Sequence, residues 1–286
     1  MRQEAYFCTV KELDELGKNN IPRQLISHTH LIYSSPATLA FNSPGAEGFG
    51  VKRAGLAVPD SVMLIVSPGC CGRNTSVLSS MRAYQDRFYY LLMDETDIVT
   101  GRHLKKIPKA VAEICEGLKK KPSVVMICIT CVDALLGTDM ERVCHKAEEY
   151  AGVPVRPCYM YALTREGRKP PMVHVRQSVY SLLEPKKKKG NVVNLLGYFS
   201  PLTDDCELYD LLHGAGVKTI HEISRCKDYA QYQTMSEANF NLVLHPEARF
   251  AAEDFHDRLK IPYIELRRLY QIDKIASQYR ALAAAL

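Results

Sequence analysis

The sequence predicts an α/β chain of two domains, each a Rossmann-like parallel sheet with helices on both faces. Three observations carry this prediction. Three runs, Ser61–Val66 (SVMLIV), Ser123–Ile129 (SVVMICI) and Asn191–Leu196 (NVVNLL), are apolar almost without interruption. Continuous rather than alternating runs fit parallel strands covered on both faces. Helical patterns lie between these runs, and repeated strand–helix alternation marks α/β architecture. Finally, Leu183–Gly190 (LEPKKKKG) combines a proline, four lysines and a glycine, and reads as a linker between residues 1–185 and residues 191–286.

The elements follow in order. After the first run the chain reads SPGCCGRN, a sharp turn at a strand end. Leu104–Lys120 then sets Ile107, Val111, Ile114 and Leu118 at intervals of three and four, one apolar stripe on a helix. The second run is followed by a helix over Met140–Ala151. Beyond the linker, NVVNLLGYFSPLTDDCELYDLLHGAGVKTI reads as a strand, a loop, a helix over Asp204–Ala215 closed by Gly216, and a further strand. FNLVLHPEARFAAEDFHDRLKIPYIEL supplies another strand, a helix and a short strand. No internal repeat or low-complexity tract interrupts this order.

Composition narrows the class. A chain of 286 residues, 47% of them hydrophobic, has room for one large domain or two ordinary ones. Its apolar runs, such as Val124–Ile129, fall far short of the ~20 residues a membrane-spanning helix needs. The first residues, MRQEAYFCTVKELDEL, carry acids and no apolar core, so no signal peptide is read and a cytoplasmic location is expected. The net charge is +5, and the lysine runs Lys119–Lys121 and Lys186–Lys189 supply seven positive charges. The remainder is slightly acidic, which speaks against a general nucleic-acid face and leaves both runs as solvated loops.

The ten cysteines hold most of the chemical information. In a reducing compartment they stay as thiols, and the adjacent pair Cys70–Cys71 could bridge only through a strained ring. Such cysteines are buried, catalytic or metal-binding. Ligands of open α/β sheets gather at the carboxyl ends of the strands. Cys70 and Cys71 follow the first run and Cys131 follows the second, so parallel strand direction brings them to one sheet edge although they lie 60 positions apart. Soft thiolates at strand ends suit iron–sulfur or zinc ligation. Cys128 lies inside the second run, and the resulting C-x-x-C match (CITC) carries little weight alone. Cys8, Cys115, Cys144, Cys158 and Cys206 read as small buried hydrophobes. His28 and His30 would share a face of an extended segment, but no cysteine or carboxylate lies near them in sequence. No Walker-type loop, G-x-G-x-x-G or G-x-S-x-G is present, so neither nucleotide hydrolysis nor serine hydrolase chemistry is supported.

Three motifs resemble the component-1 family of nitrogenase-like oxidoreductases, which includes catalytic nitrogenase subunits, cofactor-assembly scaffolds and dark-operative tetrapyrrole reductases. LIVSPGCCGRN resembles the family's V-H-G-P-x-G-C loop, with Cys71 in the ligand position and Val66 and Ser67 replacing His and Gly. YYLLMDETDIVTGRHL is similar to E-x-D-h-V-x-G-G-x-x-x-L through Glu95, Asp97, Val99, Gly101 and Leu104. ICITCVDALLGTDMERV resembles T-C-x-x-x-I-I-G-D-D-h-x-x-V, with Cys131, Gly137 and Asp139 in place. The likeness runs over residues 40–150 and, more loosely, over the second domain, in a shortened form of the family. Two departures stand out. The family's upstream cluster cysteine is missing from FNSPGAEG (Phe41, Asn42 and Ser43 offer no thiol), and FNLVLHPE has His245 about where catalytic members carry a cofactor-ligating cysteine.

The resemblance implies a cluster at the interface of two similar subunits. Cys71 and Cys131 from each of two copies would give the four thiolates of a [4Fe–4S] cluster or a related iron–sulfur cluster, with Cys70 replacing or supplementing Cys71. The implied partners are a second copy or a similar nitrogenase-like subunit, and an ATP-dependent iron–sulfur reductase. The implied function is that of a cluster-bearing component, passing electrons to a substrate or second cofactor in the cleft between domains, where Arg73, Asp133 and His245 are candidate polar groups. A non-catalytic scaffold for metal-cofactor assembly is the alternative, and a binding module that has lost the cluster is a third reading.

Overall fold

The computed structural model describes residues 9–17, 19–20, 22, 50–69, 79–80, 82–130, 136–159 and 169–285. Cys8, His28, His30, the segment 41–43, Cys70, Cys71, Arg73, Cys131 and Asp133 lie outside the described residues.

Two four-stranded, all-parallel sheets organise the molecule. The first contains β1 (Val62–Ser67), β2 (Phe88–Leu92), β3 (Val125–Ile129) and β4 (Val155–Tyr159) in the order β2-β1-β3-β4. The second contains β5 (Val192–Leu196), β6 (Thr219–His221), β7 (Phe240–Val243) and β8 (Tyr263–Glu265) in the order β6-β5-β7-β8. Both orders describe one topology: the first strand has the second on one side and the third on the other. The three apolar runs thus become the central strands β1, β3 and β5, and every residue of these three strands is buried.

Helices cover both faces of the first sheet. On the outer face lie α4 (His103–Gly117) and α5 (Met140–Ala151), packed through Ile107, Val111 and Ile114 and through Met140, Val143, Cys144 and Ala147 onto Val62, Leu64 and Val66 of β1. Of the stripe expected at Ile107, Val111, Ile114 and Leu118, the first three are buried on α4, while the helix stops at Gly117 and Leu118 is its half-buried carboxyl cap. Asp139 caps the amino end of α5, its carboxylate accepting from the Arg142 amide at 3.1 Å, and Gly152 ends that helix in the left-handed conformation. The inner face is covered by α2 (Gly50–Gly55) and α6 (Pro171–Tyr180). Among the described residues the first half also contains α1 (Val10–Leu16) and α3 (Glu95–Thr100).

The inner layer is shared between the two sheets. Met63, Ile65, Met126, Cys128 and Val179 belong to the same core as Leu196, Val243, Ala252 and Phe255. Phe255 comes from α9 (Arg249–Leu259), and Tyr232, from α8 (Tyr229–Gln233), lies in the same core. On its far face the second sheet is covered by α7 (Glu207–Gly214) and α10 (Ile272–Ala285), through Leu208, Leu212 and Leu282.

Residues 183–189 have no regular structure, as a linker requires. They are nonetheless tied down. The Lys188 ammonium donates to the Ser236 carbonyl at 2.6 Å, Lys189 pairs with Glu237 at 2.5 Å, and the Glu184 amide donates to Gln233 Oε1 at 3.1 Å. Burial lowers the Lys188 pKa, so this lysine run is partly docked rather than simply solvated. Among the described residues no helix is long and apolar enough to cross a membrane.

Candidate functional site

In both sheets the chain moves outward from the first strand to the second, then returns past the first to the third. The crevice between first and third strands is therefore the switch point, where ligands of open parallel sheets gather. In the first sheet it lies between the carboxyl ends of β1 and β3. The strands end level: Ile65 pairs with Cys128 and Val66 with Ile129. One step further along that register stand Ser67 and Thr130. Cys131 is the next residue after Thr130, and Cys70 and Cys71 follow Ser67 by three and four positions.

Ser67, the last residue of β1, and Thr130, the first residue beyond β3, are both buried, at 0% and 3% exposure. Neither hydroxyl has a hydrogen-bond partner among the described residues. Leaving a buried hydroxyl unpaired costs about 1–3 kcal/mol, so two such groups side by side point to an acceptor from outside the described protein atoms. Met63 and Ile65 of β1, and Met126 and Cys128 of β3, face the core shared between the sheets. Side chains alternate across a strand, which puts Ser67 and Thr130 on that same inner side. Paired donors beside cysteine-bearing segments fit an electron-rich, sulfur-containing group.

The cysteines within the described residues have no such setting. Cys128, Cys144 and Cys158 are 0%, 1% and 0% exposed. Burial pushes the Cys144 and Cys158 thiols far up from the usual cysteine value, which keeps them protonated and poor ligands. Cys115 is shifted upward by burial in the same sense. The packing role expected for these three is the one observed, while Cys206 is half-buried at the start of α7. Among the described residues no group of three or more His, Cys, Asp or Glu side chains is arranged to hold a metal ion.

The equivalent crevice of the second sheet lies between β5 and β7, at Gly197 and His245. These two segments touch. Gly197 has φ +140°, and a Cβ built there would come within 2.7 Å of the His245 nitrogen and 2.8 Å of its Cβ. Arg176, on α6, reaches across to this point. Its Nε and Nη2 donate to the Gly197 carbonyl at 3.1 and 2.6 Å, and its Nη1 donates to Glu247 at 2.8 Å. The guanidinium also lies 4.9 Å from the Phe199 ring centroid. The Glu247 amide donates to His245 Nδ1 at 3.3 Å, and the imidazole packs edge-on against Tyr198 at 5.7 Å. Burial lowers the His245 pKa, Glu247 opposes that shift, and Arg176 and Arg268 add to it, so the ring is neutral near pH 7. Neither Arg176 nor Glu247 stood out in the sequence, because each needs the other across 71 positions to form the site.

Asp97, one of the motif residues after β2, is buried at 1% exposure and grips the turn ahead of α4. Its carboxylate accepts from Lys106 at 2.7 Å and Arg102 at 2.6 Å, and these bonds hold its pKa well below the usual carboxylate range. With Asp94 it forms a reciprocal cap on α3. Asp97 thus shapes the segment after β2.

A groove of about 530 Å³ also opens between the sheets, lined by Arg53, Asp60, Tyr84, Phe199, Ser224 and Lys227. Asp60 precedes β1 and Arg87, on the same wall, precedes β2, so this groove meets the amino ends of those strands rather than their carboxyl ends.

Comparison with known proteins bears on this geometry. Residues 47–286 match the family model described as nitrogenase component 1 type oxidoreductase. The chain is 27% identical over 238 residues to the nitrogenase iron-molybdenum cofactor biosynthesis protein NifE of Nostoc sp., covering 80% of this chain and 48% of that protein. It is 26% identical over 265 residues to the NifE protein of Klebsiella pneumoniae, covering 85% and 57%. The solved structure of nitrogenase Cp1 at pH 6.5 superposes with a TM-score of 0.61 at 18% identity, over 82% of this chain and 56% of that one. Cp1 at pH 5 gives 0.57 at 22% identity. The chain thus spans about half the length of the curated relatives it matches.

Proposed function

On the premise that the chain belongs to the nitrogenase component 1 type oxidoreductase family, we propose that it is an iron–sulfur cluster-bearing subunit with its cluster at the β1/β3 crevice. The observation that carries this reading is the level ending of the two neighbouring strands, each leading directly into a cysteine-bearing segment, with two unpaired buried hydroxyls between them. Cys71 and Cys131 are the proposed thiolate ligands, with Cys70 beside them. When bound, a [4Fe–4S] or related cluster supplies one-electron storage.

The chain's own part is positional. Strands buried along their whole length set the ends of β1 and β3, which lead into the cysteine-bearing segments, at one height, and helices pack on both faces of these strands. Two thiolates per chain leave a four-iron cluster half-coordinated, so a second copy or a similar nitrogenase-like subunit supplies the others. Exposed Leu92, Val99 and Leu136, which follow or end β2 and β3, give that partner an apolar surface. The family likeness supports a separate ATP-dependent iron–sulfur reductase as the electron source.

A second reading, an assembly scaffold for a metal cofactor, is favoured by one observation: the curated relatives described above are cofactor biosynthesis proteins. One experiment tests the proposal and separates the two roles. The anaerobic protein is mixed with an ATP-dependent iron–sulfur reductase, and its cluster absorbance is followed with and without ATP. ATP-dependent bleaching of the cluster supports the electron-accepting subunit. A cluster that stays oxidised, yet moves to an iron-free acceptor protein, supports the scaffold. Protein without iron contradicts both.

A further inference from the structure

We infer that Ser67 and Thr130 form a paired hydrogen-bond donor set for the sulfur atoms of a cluster at the β1/β3 crevice, acting as positioning and tuning residues rather than iron ligands. The inference rests on the cluster reading proposed above. Four observations support it independently of any motif. The two residues are neighbours by register, one step beyond the Val66–Ile129 pair. Strand alternation turns both toward the core between the sheets, where Ile65 and Cys128 already point. Both are buried, and neither hydroxyl has a partner among the described residues. Each stands just before a cysteine-bearing segment.

A hydroxyl carries one rotatable proton, and once buried that proton needs an acceptor. Thiolate and sulfide sulfurs are acceptors whose negative charge grows when a cluster takes up an electron. Hydrogen bonds to those sulfurs therefore stabilise the reduced state more than the oxidised one, and hydrogen bonding is one of the levers that sets cluster potential. The hydroxyls thus raise the potential of the cluster and make it a better electron acceptor.

The test uses Ser67→Ala and Thr130→Val, which keep shape and remove the proton, with Thr130→Ser as the variant that restores it. In the iron-free full chain, the unfolding midpoint of Ser67→Ala and Thr130→Val should equal or exceed that of the wild type, because an unpaired polar group has been removed. In the anaerobically loaded protein, redox titration should show a more negative potential for each variant at unchanged iron content, a larger shift in the double variant, and a return toward wild type in Thr130→Ser. Unchanged potentials at full iron content overturn this inference while leaving the cluster reading intact. A lowered midpoint in the iron-free variants also overturns it, since the hydroxyls would then be bonded to the fold or to ordered water. Wild-type protein that takes up no iron overturns the cluster reading and this inference together.

Discussion

A thiol's chemistry depends on whether it lies within a strand or just beyond it. Cys158 is enclosed in β4 and Cys144 in α5, and burial keeps both protonated. Cys71 and Cys131 follow strand ends in sequence, the position from which ligands are offered. We expect Cys71→Ser and Cys131→Ser to lose most of the bound iron and sulfide after anaerobic purification, and Cys144→Ala to retain them. Iron and acid-labile sulfide analysis checks this, and full retention in both serine variants would remove the ligand assignment. His245 gives a second prediction at this scale. Its folded pKa lies below the ordinary 6.5, mainly through burial. The unfolded chain therefore binds that proton first as pH falls, so stability is complete above about pH 6.5 and declines below it. His221, whose pKa burial also lowers, contributes in the same direction. Urea midpoints between pH 7.5 and 5.5 should fall toward acid, and His245→Gln should flatten part of that slope. A midpoint independent of pH across this window would contradict the half-buried neutral imidazole.

Among the elements, the β5–β7 crevice depends on one backbone approach. Gly197 lies against His245 at a φ of +140°, with no room for a Cβ. Gly197→Ala should cost about 2–3 kcal/mol in urea unfolding, from strain and displacement of the His245 segment. A loss below half a kcal/mol would show that the two segments are looser than described. The sequence makes the central strands legible because burial on both faces leaves an unbroken apolar run, as in Val62–Val66 and Val125–Ile129. The edge strands of the first sheet give no such run. In β2, buried Phe88 is followed by partly or largely exposed residues. In β4, Arg156 leans out to bond Glu148 and Ser181, and Pro157 interrupts the strand pattern, as edge strands tolerate. The first turn expected for α7, at Asp204, is instead a loop in which Asp204 pairs with Arg225, and the helix begins at Glu207. That β1 and β3 end at the same edge of one sheet was readable from the sequence, because parallel direction dictates it; the cysteines that follow lie outside the described residues. The Arg176–Gly197–Glu247 site was not readable, because it joins three segments with no shared pattern.

For the molecule as a whole, a shared inner core joins the two sheets, pinned by a few polar bridges. Gln233 Nε2 donates to the Leu182 carbonyl at 2.8 Å, Arg258 donates to the carbonyls of Leu183 and Tyr180, and Arg176 binds Gly197 and Glu247. Desolvation lowers the Arg176 pKa and Glu247 opposes that shift, so the buried guanidinium depends on its partners to stay charged inside the fold. Arg176→Met should destabilise the chain by about 3 kcal/mol, because it strands the Gly197 carbonyl and weakens the contact between the sheets. A near-neutral change in denaturant unfolding would show that the sheets hold together through apolar packing alone. Completion of an iron–sulfur site by a second subunit at the β1/β3 crevice can be read from mass and iron content together. Light scattering and iron content are recorded together on the anaerobic full chain as it elutes from a sizing column, before and after iron chelation. The dimer peak should carry one [4Fe–4S] cluster per pair of subunits and dissociate once the iron is removed. A stable monomer that carries a complete cluster, or a dimer that never binds iron, would contradict it.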